Sequence, residues 1–524
     1  MTAPSGDAKF KRKIIAAAVI FLIALGAFFR LLTVPTSSVW LDEANSIVGA
    51  SKSLPGIVEF LHTIENGPPL FYFILHFWIK LFGNSDVACA LMPLLFSVLT
   101  PLCLFFLARD LFGTKTAIWA TFLSSVNVRS IEAATYIRFY SLLELLVAVS
   151  FLTFFKMVKQ KGYFVLYVLI SVLGIYEHYY FAFVILSQFV ICLLFHKKRL
   201  PSMIGALCLV IASFSPWIPI ALKQFDMGAN TWLNVVPDAG HLAKLFYRAL
   251  FQDSGIFLKN PGHILNLTTS AFALIFLVTW VARAILYRKT VSADKEFVAV
   301  SSVMIAYMLC VVLPLFISMV RPIYEPGRYD MVGMPLLILF FSWVFSKVKN
   351  KWIILFLLLF YSIKTTGYQI REYRIPFTDR FQGKLFSDKL SVKKLSMVIE
   401  ADDVLVHAGL SKLATEYYLN QYGVTVRESF MFPLQLENHP CWCDMDKLLA
   451  NTRSLENDAR SVADAVGEVA TSRIYVFRGW YHDAISNYLI NEMDKRFSLE
   501  KIYEFSGSFY REVRVYTTNK ATDR

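Results

Sequence analysis

The chain has 524 residues, of which 56% are hydrophobic, 15% aromatic and only 17% charged, with a formal net charge of +13. So low a charged fraction excludes an ordinary soluble enzyme, and so high an apolar fraction excludes a disordered chain. The basic excess does not describe a nucleic-acid surface either, because the length is spent on apolar runs rather than on a solvated basic face.

A helix needs about 20 apolar residues to cross roughly 30 Å of hydrocarbon, somewhat fewer where neighbours shelter its ends. About eleven stretches meet that description: 14–34, 87–108, 116–128, 139–155, 163–176, 181–195, 203–222, 264–286, 297–319, 331–345 and 352–363. The first reads as a retained anchor, since no small-residue cleavage site precedes the polar Trp40-Leu41-Asp42-Glu43. Between the first two spans, residues 35–86 form a long mixed segment whose aromatic, amphipathic 73–82 stretch suits helices lying in the interface. After Ile363 the pattern changes: strand-like runs at 403–407, 473–477 and 512–517 alternate with helical runs at 412–421 and 482–496. Residues 1–363 therefore read as a membrane domain and residues 364–524 as a small soluble α/β domain.

The tail carries as many acidic as basic residues, so the whole excess charge lies before it. With the N-terminus in the cytoplasm, the inward loops hold Lys9, Lys11, Arg12 and Lys13, then Arg109 and Lys115, Lys156, Lys159 and Lys161, Lys197 to Arg199, Arg283, Arg288, Lys289 and Lys295, and Lys347, Lys349 and Lys351. Short basic loops are retained in the cytoplasm, so charge and hydropathy agree, and an odd number of spans puts the C-terminal domain outside. Five of the seven cysteines fall in apolar spans, where they act as small hydrophobes. Cys441 and Cys443 are too close for a good mutual disulfide, and with His439 and Asp444 they read as ordinary packing rather than a metal site.

Four outward segments carry unusual polar residues. Asp42 and Glu43 follow the first span; one helical step turns their side chains about 100° apart, so the two can serve different partners. Partial burial favours a carboxylate as a base, while the structural alternative is favourable charge at a helix N-terminus. The second segment, 129–141, holds Glu132 and Arg138; a guanidinium there can grip a phosphate or simply pair with Glu132. Glu177-His178-Tyr179 marks the third. The fourth, 321–330, places Arg321, Arg328 and Tyr329 where the retention rule disfavours cations, so an anionic lipid headgroup or a local carboxylate is expected as partner.

Trp40-Leu41-Asp42-Glu43-Ala44, Pro68-Pro69-Leu70-Phe71-Tyr72, Ile137-Arg138-Phe139-Tyr140-Ser141, Glu177-His178-Tyr179-Tyr180 and Gly327-Arg328-Tyr329, in that order, resemble the bacterial GT-C glycosyltransferases, closest to the protein O-mannosyltransferase-like and aminoarabinose-transferase-like groups. The resemblance implies a polytopic α-helical membrane protein of the inner membrane with an extracytoplasmic α/β domain. It implies transfer of a hexose or pentose from a polyprenyl-phosphate donor to an envelope glycan, lipid or protein, usually with inversion. It assigns Asp42 as general base, Glu43 to the acceptor or a divalent metal ion, His178 as a second metal ligand, and Arg138, Arg321, Arg328 and Tyr329 to the lipid phosphate. Tyr136 stands where relatives carry an acidic residue, with Glu132 one helical turn away as substitute. Leu91-Met92-Pro93-Leu94 replaces a relatives' Arg-Leu-Pro-Ser pattern.

A transporter or flippase of lipid-linked sugars also needs many spans, but paired halves with broken helices are not seen, and Glu144 is its main mid-membrane candidate. A sensor with an exported binding domain leaves the Asp42-Glu43 and Pro68-Pro69 segment unexplained.

Overall fold

A computed structural model describes residues 6–36, 38–228, 294–321, 323–324, 328–374, 388–438, 445–469, 472–479, 483–505 and 510–518. The expected span at 264–286, the Cys441, Cys443, His439 and Asp444 group and four residues of the 321–330 turn lie outside the described residues.

The long helix α1 (Gly6–Thr33) is followed by three short ones, α2 (Leu41–Ser51), α3 (Leu54–Thr63) and α4 (Leu70–Phe82), which make up the long first outward segment. The bundle continues with α5 (Asp86–Phe112), α6 (Thr114–Val126), α7 (Val128–Ala133), α8 (Tyr140–Lys159), α9 (Phe164–Glu177), α10 (Phe181–Phe195), α11 (Leu200–Phe214) and α12 (Ile218–Gly228). After the undescribed stretch come α13 (Lys295–Ile317), α14 (Met334–Ser346) and α15 (Lys351–Arg374). Local chemistry sets several boundaries. Ser85 Oγ accepts from Ala88 N–H to start α5, and Gly113 at φ +92 ends it. Asp294 Oδ1 accepts from Glu296 and Phe297 N–H to start α13. A π turn at Met308–Val312 interrupts α13 just ahead of Pro314, which has no N–H to continue the ladder.

Among the described residues seven helices are long and apolar enough to cross a membrane. Three of the expected spans fall short: α6, α9 and α10 have 13, 14 and 15 residues. The reason is visible in α6, where Ala117, Ala120, Thr121, Ser124 and Ser125 are all buried and small, so its neighbours close around it. Gly26 of α1 comes so near that a Cβ there would lie 2.9 Å from Ser125 Cβ. Arg30, one turn on, donates from Nη1 to Ser125 O (2.9 Å) and from Nη2 to Ser124 O (3.1 Å), satisfying carbonyls at the end of α6. Its Nε donates to Ser97 Oγ on α5 (2.7 Å). Helix α15 runs on to Arg374, so the division drawn after Ile363 falls within it.

The two sets of turns separated by charge are also separate in space. Lys115 Nζ donates to Val348 O (3.1 Å), Lys159 Nζ to Asp110 O (3.3 Å) and Arg199 Nε to Val158 O (2.8 Å), and Lys347 pairs with Glu296, gathering basic loops at one end. The 38–86, 127–140 and 177–180 turns meet Ile323, Arg328 and Tyr329 at the other.

Beyond α15 lie α16 (Asp388–Leu395) and a five-stranded sheet in the order β2-β1-β3-β5-β4. Strands β1 (Val404–Ala408), β2 (Glu428–Phe432) and β3 (Arg473–Gly479) are parallel; β4 (Ser498–Glu504) and β5 (Tyr510–Thr517) add on antiparallel. Helices α17 (Lys412–Gln421), α18 (Thr452–Val469) and α19 (Asp483–Arg496) cover the sheet. Strands β2 and β4 lie at its edges, which is why the sequence gives them no buried alternation. Leu41, Ile47, Phe71 and Leu75 of the first outward segment belong to the same buried cluster as Val392, Tyr417 and Tyr418 of the tail.

Candidate active site

Helix α2 begins at Trp40, whose N–H donates to Glu43 Oε2 (3.1 Å), the reciprocal cap that a Glu at the third helical position makes. The other oxygen, Glu43 Oε1, accepts from Ile137 N–H (2.9 Å) and ties the 137–141 turn to this helix start. Glu43 is buried, with both oxygens engaged by backbone. Asp42, turned away by one helical step, keeps a 20% exposed side chain, and its Oδ2 lies 3.3 Å from Arg328 Nη1. Arg328 itself lies over the Trp40 ring at 5.5 Å.

Arg138 pairs with a residue that the sequence did not single out. Its Nη1 and Nη2 meet Glu65 Oε2 and Oε1 at 3.1 and 3.3 Å, a two-point fork, and Nη1 also donates to Ser46 Oγ (3.1 Å) and Tyr72 OH (3.3 Å). Asn45 Nδ2 donates to Glu65 Oε2 at 2.8 Å. Burial alone would push the Glu65 carboxyl up, but the Arg138 guanidinium beside it more than reverses this and holds it below the usual range. Glu132, the expected alternative partner, is taken by Arg129 (2.8 Å) and by Tyr136 OH (3.4 Å). It stands behind the site rather than against Arg138.

His178 sits in an aromatic box, with ring centroids 4.5 Å from Phe139, 5.3 Å from Tyr180 and 5.4 Å from Tyr329. Burial, with Arg138 nearby, pushes its pKa down to about 3, so the ring is neutral at physiological pH. It lines a cavity of about 500 Å³ together with Tyr180, Phe183, Phe214, Arg321 and Tyr329. Arg321 lies over the Phe225 ring at 3.8 Å and donates from Nη2 to Phe225 O (3.3 Å). Gln224, also unanticipated, donates through Nε2 to Leu61 O, Glu65 O and Gly67 O and accepts from Tyr179 OH, fastening the Glu65 loop to the cavity wall.

A divalent ion held by the pair needs a free lone pair on each residue, and His178 does not offer one as arranged. Both Glu43 oxygens accept backbone N–H groups, and His178 Nδ1 accepts from Tyr180 N–H (3.1 Å), which leaves the proton of the neutral ring on Nε2. Among the described residues no three His, Cys, Asp or Glu side chains come together as a ligand group. The pair does not fit a metal in this arrangement, and no chemical step is assigned to one.

The structure thus brings Asp42, Glu43, Arg138, His178, Arg328 and Tyr329 to one end of the bundle, with Arg321 on the adjoining cavity and Glu132 one layer behind. Glu65 was missed because its partner Arg138 is far away in sequence, whereas Tyr72 stood in the Pro68-Pro69-Leu70-Phe71-Tyr72 motif without a role of its own. The only local signal was an acidic residue directly before Asn66-Gly67-Pro68-Pro69.

The bundle, with its polar site and α/β domain at one end, has the GT-C fold of the solved structures it superimposes on. Residues 66–220 match the family model described as dolichyl-phosphate-mannose-protein mannosyltransferase. Crystal structures of ArnT from Cupriavidus metallidurans, in the apo state and bound to undecaprenyl phosphate, superimpose with a TM-score of 0.58 at 11% identity, covering 98% of this chain and 99% of that one. The Archaeoglobus fulgidus oligosaccharyltransferase tethered with an acceptor peptide containing the NVT sequon gives a TM-score of 0.51 at 12% identity, over 98% of this chain and 75% of that one. No curated protein sequence matches the chain. The resemblance to GT-C glycosyltransferases read from the motifs is therefore borne out in the family match and in the fold.

Proposed function

We propose that this protein transfers a sugar from a polyprenyl-monophosphate donor to an envelope glycan, lipid or protein acceptor at the outer face of the bacterial cytoplasmic membrane. Attack and departure take place on opposite faces of the anomeric carbon, with inversion. Asp42 takes the proton of the acceptor hydroxyl as its oxygen attacks that carbon. The bond from the carbon to the phosphate oxygen breaks, and the electron pair leaves on the lipid phosphate. Arg328 and Tyr329, with Arg321 on the cavity, take up the charge the phosphate gains.

One observation carries this reading: the partly exposed Asp42 carboxylate lies 3.3 Å from Arg328, whose chain neighbour Tyr329 lines, with Arg321, an apolar cavity of about 500 Å³. A prenyl chain needs the apolar walls and a phosphate needs the cations. Arg138, paired with Glu65, supports the site from behind and is assigned to positioning rather than to phosphate.

The test is transfer by the purified protein in lipid, with polyprenyl-phosphate sugars, alongside Asp42→Asn. Loss of a positioned general base lowers turnover by about 10²- to 10⁴-fold with donor binding kept. Transfer at the wild-type rate by Asp42→Asn refutes the base assignment. Movement of lipid-linked sugar across the bilayer without bond cleavage favours the transporter reading.

A further inference from the structure

The 38–86 segment, which carries Asp42 and Glu43, is held at both of its ends by one helix of the C-terminal domain. At the near end, Val39 N–H donates to Tyr418 OH at 2.6 Å, three residues before Asp42, and Ser38 Oγ lies 3.4 Å from the same hydroxyl. At the far end, Tyr417 OH donates to Asn84 O at 3.0 Å, and Gln421 Nε2 donates to Asn84 Oδ1 at 3.1 Å. Lys389, from α16, pairs with Asp86 at 2.5 Å, and its N–H donates to Ser38 Oγ at 3.3 Å. Tyr417 and Tyr418 are both buried, and the apolar cluster beneath them continues unbroken into α2 and α4.

Two neighbouring side chains on α17 thus brace the start and the end of a segment of roughly fifty residues. The near contact falls where it matters most. Val39 is followed by Trp40, which stacks on Arg328 and opens the helix that carries Asp42. A shift at Val39 turns that helix start and moves Asp42 relative to Arg328. A tail that only shielded the membrane surface would need no buried tyrosine hydroxyl on the backbone of this turn.

We infer that the C-terminal domain is a working part of the transfer site, with Tyr418 as a positioning residue that fixes the backbone at Val39 and thereby the Asp42 carboxylate. The inference rests on the transfer reading for its kinetic arm and on geometry alone for its structural arm. Tyr418→Phe removes the hydroxyl while keeping the ring in the core. Tyr475→Phe is the control, since its hydroxyl donates to Val398 O (3.0 Å) inside the tail, away from the 38–86 segment.

The experiment uses the full chain in lipid and measures amide hydrogen exchange over residues 38–46 together with steady-state transfer at varied donor concentration. Tyr418→Phe is expected to speed exchange over 38–46 about tenfold and to lower kcat by about tenfold, with the donor KM unchanged within about twofold. Tyr475→Phe is expected to change neither. Wild-type exchange over 38–46 in Tyr418→Phe overturns the inference, as does an equal fall in kcat in Tyr475→Phe, which reports general destabilisation. If the wild-type chain transfers no sugar, the transfer reading fails, while the exchange arm still decides whether Tyr418 positions this turn.

Discussion

Glu65 and Arg138 form a nearly buried pair whose members depend on each other. With side chains only 14% and 11% exposed, neither charge has enough water to stand alone. Removing one partner is therefore expected to cost more than the pair itself contributes: Glu65→Gln should lower stability by about 3 kcal/mol, measured as the midpoint of thermal unfolding in detergent. The pH dependence follows from the depressed carboxyl pKa. The stabilisation is fully present above the ordinary glutamate value of about 4.5 and is lost as pH falls through the lower folded value. Acid titration of the wild type should show that loss, and Glu65→Gln should lack it. His178 adds a separate limb of the same sign, because its folded pKa of about 3 lies below the ordinary 6.5 and the neutral ring is favoured only above that range. An equally steep acid slope in Glu65→Gln would move the effect to other groups.

At the scale of elements, close helix approach rather than apolar length sets what the bundle tolerates. Gly26 lets α1 rest on the backbone of α6 at Ser125, with no room for a side chain. Gly26→Leu is expected to force the helices apart and to lower stability by about 1–3 kcal/mol, and to disturb the Arg30 contacts to Ser124 O and Ser125 O one turn away. A thermal midpoint equal to the wild type would refute this. The same contact explains what the sequence made legible. Long apolar runs such as those of α5 and α13 announced themselves, and so did the turns that hold Asp42, Arg138, His178 and Arg328, because charge is conspicuous in an apolar chain. The short α6, α9 and α10 could not be judged by hydropathy, since sheltering by neighbours decides whether 13 to 15 residues suffice. Partners set far apart were out of reach for a different reason. Nothing local links Glu65 to Arg138, 73 residues on, or Val39 to Tyr418, 379 residues on. Those pairings exist only once α2 to α4 have folded against the 137–141 turn and α17.

For the whole molecule, the +13 charge is a statement about sidedness. The tail is balanced, so the excess belongs to residues before Lys364, and the structure collects Lys115, Lys159, Arg199 and Lys347 at the end of the bundle away from Asp42. Moving that many basic residues across a bilayer is disfavoured, and on that ground we propose that this end faces the cytoplasm and the site with its α/β domain faces the outside. A reporter inserted beside Lys198 should then read cytoplasmic, and one fused after Arg524 should read extracytoplasmic. The pair of measurements is more telling than either alone, because α6, α9 and α10 make any count of crossings depend on helices of marginal length. If both reporters read the same side, the two ends of the bundle do not face opposite compartments, and the placement of Asp42 outside the membrane fails with them. If they read oppositely but reversed, the charge argument is wrong, while the separation of the two ends still holds.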